Sequence, residues 1–101
     1  MDVSEFTADN LQPFVGTDFR VELAAGGECL LRMTELTKIR DKHVDARFKR
    51  DSFSIVLEGP RQPFLPQGTY QLQHDNLGAN HIFIVPTGPA PEGFRYEAVF
   101  T

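Results

Sequence analysis

Hydrophobic and polar residues alternate through most of this chain. Phe19, Val21 and Leu23 interleave with Arg20 and Glu22 over residues 18–24. Cys29, Leu31 and Met33 share a face in a longer run, 28–39, before the phase slips to Leu36. Phe53, Ile55 and Leu57 form one face of a further segment, and Tyr70, Leu72 and His74 one face of 68–74. Phe94, Tyr96, Ala98 and Phe100 share a face over 94–100, with Arg95 and Glu97 opposite. A period of two predicts half-buried β-strands, and a slip within a long strand predicts a bulge or sharp bend. Residues 80–86 differ: His81, Phe83 and Val85 alternate with Ile82 and Ile84, so both faces are apolar. Such a strand belongs in the middle of a sheet, and Phe83 and Tyr96 are expected to be deeply packed.

Ahead of the strands, Thr7 can cap a short helix over about residues 8–15, with Asp9 at the positive end of its dipole. Phe6 before the cap and Leu11 after it match a hydrophobic staple, and Pro13 and Gly16 keep the helix short. Leu11, Phe14 and Val15 form its expected buried side. Residues 1–5 are expected to be loose. Ala25-Gly26-Gly27 reads as a turn, Gly59-Pro60 as a strand end, 74–80 as a hairpin loop and 86–93 as a Pro/Gly-rich loop. The fold class is mainly β: one short N-terminal helix, then about six antiparallel strands paired as a meander. The bend in the second strand allows closure as a small barrel, the alternative being a two-sheet sandwich.

The chain of 101 residues, 41% hydrophobic, fits one domain spanning 1–101. Nine Phe and no Trp point to a core built on Phe. The net charge of −4 opposes a general attraction to nucleic acid or anionic membrane. A lone cysteine rules out an internal disulfide framework and suits a reducing compartment, so the expected location is cytoplasmic. Neither a signal peptide nor a run of about 20 apolar residues is present, and no membrane contact is expected.

Residues that could carry chemistry are sparse. His43, His74 and His81 are scattered. His74 and His81 could face each other across a hairpin, but the simpler reading is surface or edge histidines, and two ligands do not make a catalytic metal site. Cys29 shares an apolar face with Leu31 and Met33 and reads as a buried structural thiol. Glu35, Glu58 and Glu97 fall on different strands with nothing to pair them as acid and base. No phosphate-cradling Gly loop occurs. Catalytic residues, metal ligands and cofactors are therefore expected to be absent. The unusual stretch is 38–50, where Lys38, Arg40, Lys42, Arg47, Lys49 and Arg50 hold six of the ten basic residues around His43 and Phe48. It is the candidate contact for an anion or nucleic acid. Asp41, Asp45 and Asp51 dilute its charge.

Two resemblances follow from particular motifs. Leu65-Pro66-Gln67-Gly68-Thr69-Tyr70, Phe83-Ile84-Val85-Pro86-Thr87-Gly88-Pro89 and Arg95-Tyr96-Glu97-Ala98-Val99-Phe100 resemble a family of small bacterial domains of unknown function. The stretch from Phe53 to Pro60 fits it too, and the family implies no activity. The second resemblance is to Sm-like proteins, carried by Phe19-Arg20-Val21-Glu22-Leu23, then Gly26 or Gly27, then a long bent strand. It implies a small Sm- or SH3-like barrel behind a short helix. The chain departs from that pattern at the RNA pocket: no Asp-x-x-Met-Asn follows, and Ile82-Phe83-Ile84 stands where Ile-Arg-Gly would be.

These readings give a non-enzymatic protein-binding or assembly module as the expectation. The alternative is an Sm-like nucleic-acid-binding protein using the basic arm. RNA is not the expected partner, and no particular protein partner is indicated. Strands 68–74, 80–86 and 94–100 lack the lysines that usually blunt sheet edges. The expectation is thus a homo-oligomer, a dimer rather than a ring, joined through strand edges.

Overall fold

The computed structural model describes residues 1–39 and 52–101. Six antiparallel strands, β1 (Asp18–Glu22), β2 (Glu28–Lys38), β3 (Phe53–Pro60), β4 (Gly68–His74), β5 (Gly78–Ala90) and β6 (Gly93–Phe100), close into a barrel. Their order around the wall is β1-β2-β3-β6-β5-β4. The barrel, not the sandwich, is the solution the chain adopts. It is made of two three-stranded meanders, β1–β3 and β4–β6, so the uninterrupted meander expected from sequence breaks between β3 and β4. Residues 61–67 make that crossing. Buried Leu65 lies on it, and its N–H donates to the Tyr96 hydroxyl at 3.0 Å, so that phenol ties the crossing to the core.

Alternation built this wall as expected. Phe19 and Val21 of β1, Cys29, Leu31 and Met33 of β2, Phe53, Ile55 and Leu57 of β3, and Tyr96, Ala98 and Phe100 of β6 all point inward and are buried. The slip in β2 is a bulge: Met33 pairs Leu57 while Glu35 pairs Val56, leaving Thr34 as the extra residue. A bulge adds local twist, which a six-stranded barrel needs in order to close.

Further expectations are corrected. β5 is not buried on both faces: Ile82 and Ile84 point inward, and Phe83 is 51% exposed. A closed barrel has one interior, so each strand has one buried face however apolar the other is. The stretch 86–93 is mostly strand, since β5 runs to Ala90 and only Pro91 and Glu92 turn back into β6. A bulge at Thr87 lies between the pairs Pro86↔Tyr96 and Gly88↔Arg95. Closure also gives β4, β5 and β6 a ladder neighbour on either side over part of each strand, so their expected open-sheet edges are taken up within the barrel.

The N-terminal segment covers one barrel end. α1 (Ala8–Leu11) carries the expected cap as a full capping box: Thr7 Oγ1 accepts from the Asn10 N–H, and Asn10 Oδ1 accepts from the Thr7 N–H. The helix is a single turn continued by a 3-10 turn, Gln12–Phe14, because Pro13 supplies no backbone donor. Phe6 and Leu11 are fully buried, and Phe6 meets Phe100 edge-on at 5.8 Å. Residues 1–5 are tied down: Val3–Glu5 forms a 3-10 turn, the Met1 nitrogen donates to the Leu77 carbonyl, and Asn80 Nδ2 donates to the Met1 carbonyl. Among the described residues no helix is long and apolar enough to cross a membrane.

Candidate functional site

The barrel wall has two weak seams, and the polar residues gather at them. The first joins β1 to β4, where the ladder holds only two pairs, Arg20↔Gln73 and Val21↔Leu72. Side chains complete it. His74 is buried, with Phe14 and Phe19 against its ring at 5.2 and 4.9 Å. Its Nδ1 accepts from the Asn76 N–H at 3.0 Å and the Leu77 N–H at 3.3 Å. Two backbone donors at Nδ1 place the ring proton on Nε2, which donates to Thr17 Oγ1 at 2.8 Å, and Thr17 in turn donates to the Phe14 carbonyl. Burial lowers the His74 pKa below the usual imidazole value; Asp75 pulls the other way, and Arg20 adds to the lowering. Outside, Arg20 and Asp75 pair at 2.7 Å. A depression of about 310 Å³ lies over this seam, but both imidazole nitrogens beneath it are engaged.

The second seam lies between β2 and β3. Their ladder runs from Lys38↔Phe53 to Arg32↔Glu58 and stops, although β2 continues back to Glu28. Carrying the register on would set Pro60 opposite Leu30, and proline has no N–H to extend a ladder. Gly59 is needed just before the fork, since a Cβ there would lie 2.6 Å from Leu31 Cδ2. Gly93 is needed opposite, where a Cβ would run into the Gly59 carbonyl oxygen. These two glycines let the β5–β6 turn pack tightly against the end of β3.

Beside this fork lies a groove of about 570 Å³. The outer face of β2 lines one side, and the crossing after β3 and the β5–β6 turn line the other. Leu30, 50% exposed, contributes apolar surface with Pro60, Pro63 and Ala90. Four carboxylates, Asp18, Glu28, Glu58 and Glu92, line it against one cation, Arg32. Asp18 is paired with Arg32 at 3.2 Å and Glu58 with Arg95 at 3.6 Å. Glu28 and Glu92 are exposed and have no ion pair among the described residues. The groove is therefore apolar in part, net acidic, and bordered by a strand that has lost its ladder neighbour.

Of the six basic residues singled out in the sequence, Lys38 ends β2 with its Nζ 3.3 Å from an Asp9 carboxylate oxygen. Arg40, Lys42, Arg47, Lys49 and Arg50 lie outside the described residues, as does His43. His74 and His81 do not face each other: His74 pairs Gly78, and His81 pairs Gln71. His74 is a core residue and not a surface or edge one. Cys29 is buried, and burial raises its thiol pKa. Among the described residues, no three His, Cys, Asp or Glu side chains come together to hold a metal ion. Sequence reasoning missed the groove. Its legible signals were the Gly59-Pro60 strand end and Leu30 on the polar face of β2.

A small closed barrel with a helical cover and a grooved outer wall is the class of protein these features define. The chain belongs to the family described as Domain of unknown function (DUF6916), whose model matches residues 6–100. No curated protein and no solved structure matches it significantly.

Proposed function

We propose that this protein is a non-enzymatic protein-binding module, and that its docking site is the groove at the β2–β3 fork. The single observation that carries this reading is the fork itself. β2 keeps its β1 partner down to Glu28 but loses its β3 ladder beyond Arg32, and the space beside it is a groove with exposed Leu30. An extended peptide laid along a strand finds backbone partners and alternate side-chain pockets. A volume of this size suits a few side chains. Glu28 and Glu92 select for Lys or Arg on the incoming segment, and Leu30, Pro60 and Pro63 for an apolar residue between them.

Selection from a displayed library of random 12-residue peptides tests this. The expected result is enrichment of sequences combining Lys or Arg with an apolar residue. Leu30→Ser should weaken their binding about tenfold or more, equivalent to at least about 1.4 kcal/mol. No enrichment, or peptides that bind the variant equally well, would count against the groove.

A further inference from the structure

We infer that the N-terminal cover is an acid-released lid on the barrel end, hinged at Gly16 and clasped by the β4–β5 turn through His74. The hinge is held by backbone bonds. The Gly16 N–H donates to the Met33 carbonyl at 2.6 Å, and the Met33 N–H donates to the Thr17 carbonyl at 2.9 Å. Gly16 has a φ of 94°, which glycine reaches without steric penalty. The cover is braced internally: the capping box joins Thr7 to Asn10, and Asn10 Nδ2 donates to the Glu5 carbonyl at 2.8 Å.

The clasp is at the other end. The Met1 nitrogen donates to the Leu77 carbonyl, while Asn80 Nδ2 lies 2.9 Å from the Met1 carbonyl and 3.2 Å from that of Leu77. These ties need the turn in its present shape, which His74 Nδ1 sets by accepting the Asn76 and Leu77 N–H groups. The same ring reaches the hinge through Thr17 Oγ1. One imidazole thus joins hinge to clasp. The cover is also held by the exposed Lys38–Asp9 pair and by Phe6 and Leu11 packed into the barrel end. Histidine is the side chain whose charge ordinarily changes between pH 5 and 8, and among these contacts His74 is the histidine.

A proton cannot enter at Nδ1 while two N–H donors face it, so His74 is protonated with the turn open. The imidazolium offers those donors no acceptor, and the turn does not close around it. Burial disfavours the imidazolium most; Asp75 favours it, and Arg20 of β1, paired with Asp75, opposes it. Asp18 lines the same depression, and the Met1 ammonium sits on the turn. Phe14 and Phe19, packed on the ring, bring no charge. Acid therefore populates a form whose clasp is undone and whose lid swings on Gly16, a local opening of a barrel that stays folded.

Amide hydrogen exchange on the full chain, read by NMR and corrected for the intrinsic pH dependence of exchange, tests this. Between about pH 7.5 and about pH 5.5, protection at Asn76 and Leu77 should fall several-fold, with a ceiling of about tenfold for each unit between the closed and open pKa values. Asn10 and Leu11 should fall with them, because a single helical turn does not persist off the barrel. The β3–β6 ladder should keep its protection. The fall should share its midpoint with the titration of the His74 ring carbons. His74→Gln takes up no proton and should show weak protection at both pH values with no fall between them; if it does not fold, the wild-type exchange and ring titration decide the matter. Protection at Leu77 that ignores pH would overturn the inference. So would turn amides that fall while Asn10 and Leu11 hold, a fall shared equally by the β3–β6 ladder, a fall kept by folded His74→Gln, or a ring titration with a different midpoint.

Discussion

The β1–β4 seam and the β2–β3 fork pose the same physical problem and resolve it in opposite ways. At both, a strand of the barrel runs past the end of a ladder. At β1–β4 the shortfall is filled from inside by His74, whose two nitrogens link the β4–β5 turn to Thr17, with the Arg20–Asp75 pair outside. At β2–β3 the Asp18–Arg32 and Glu58–Arg95 pairs lie along the groove, but among the described residues no buried side chain bridges the shortfall as His74 does. Pro60 withholds a donor, and the acids that gather, Glu28 and Glu92, have no ion pair among the described residues. A polar group with its partners in place contributes to stability; an exposed one without them is available for recognition. One seam is a structural joint; the other is the surface we propose for a partner.

The contrast is broken most sharply by comparing His74→Ala with Leu30→Ser. His74→Ala removes a ring packed between two phenylalanines and leaves the Asn76 and Leu77 N–H groups without their acceptor. It should cost about 2–4 kcal/mol in denaturant unfolding. Leu30→Ser changes an exposed side chain and should stay within about 0.5 kcal/mol. Equal losses at the two positions would erase the distinction.

A smaller effect sharpens it. His74 is held neutral in the folded protein, with its pKa lowered by burial. The unfolded chain therefore binds the proton more readily, and stability rises with pH between the folded value and the unfolded value of about 6.5. The His74 contribution should be complete above about pH 6.5 and be lost progressively as pH falls below it. Protonation would also place a hydrogen on Nδ1, facing the two N–H donors of the turn. Of the charged neighbours, Asp75 opposes the lowering and Arg20 reinforces it. Unfolding midpoints measured from pH 8 to pH 5 should show this fall in the wild type and a flatter profile in His74→Gln. Matching profiles would mean that the joint does not titrate.

The barrel's interior was readable because alternation names a face: Phe19 with Val21, Cys29 with Leu31 and Met33, and Phe53 with Ile55 and Leu57 all fell where their parity placed them. β5 was not readable in this way. Phe83 and Ile84 are equally apolar, and only closure of the wall decides which of them faces in. Residues 86–93 misled for another reason, since Pro86 and Pro89 signal a loop but are tolerated where a ladder is irregular. The two seams were hidden because each depends on residues far apart in the chain. Thr17 meets His74 across 57 positions, and Leu30 lines a groove with Pro60 and Glu92. A single strand's pattern cannot show where its neighbour's ladder will stop.

We expect the open fork, and not the closed joint, to receive a partner. An amide chemical-shift map of the isotopically labelled protein, titrated with a peptide from the library selection, tests this directly. Shifts should concentrate at Glu28, Leu30 and Arg32 of β2 and at Ala90, Glu92 and Gly93 of the β5–β6 turn, with Thr17, His74 and Leu77 unmoved. Shifts centred on His74, or on the outer face around Phe83 and Val99, would contradict it.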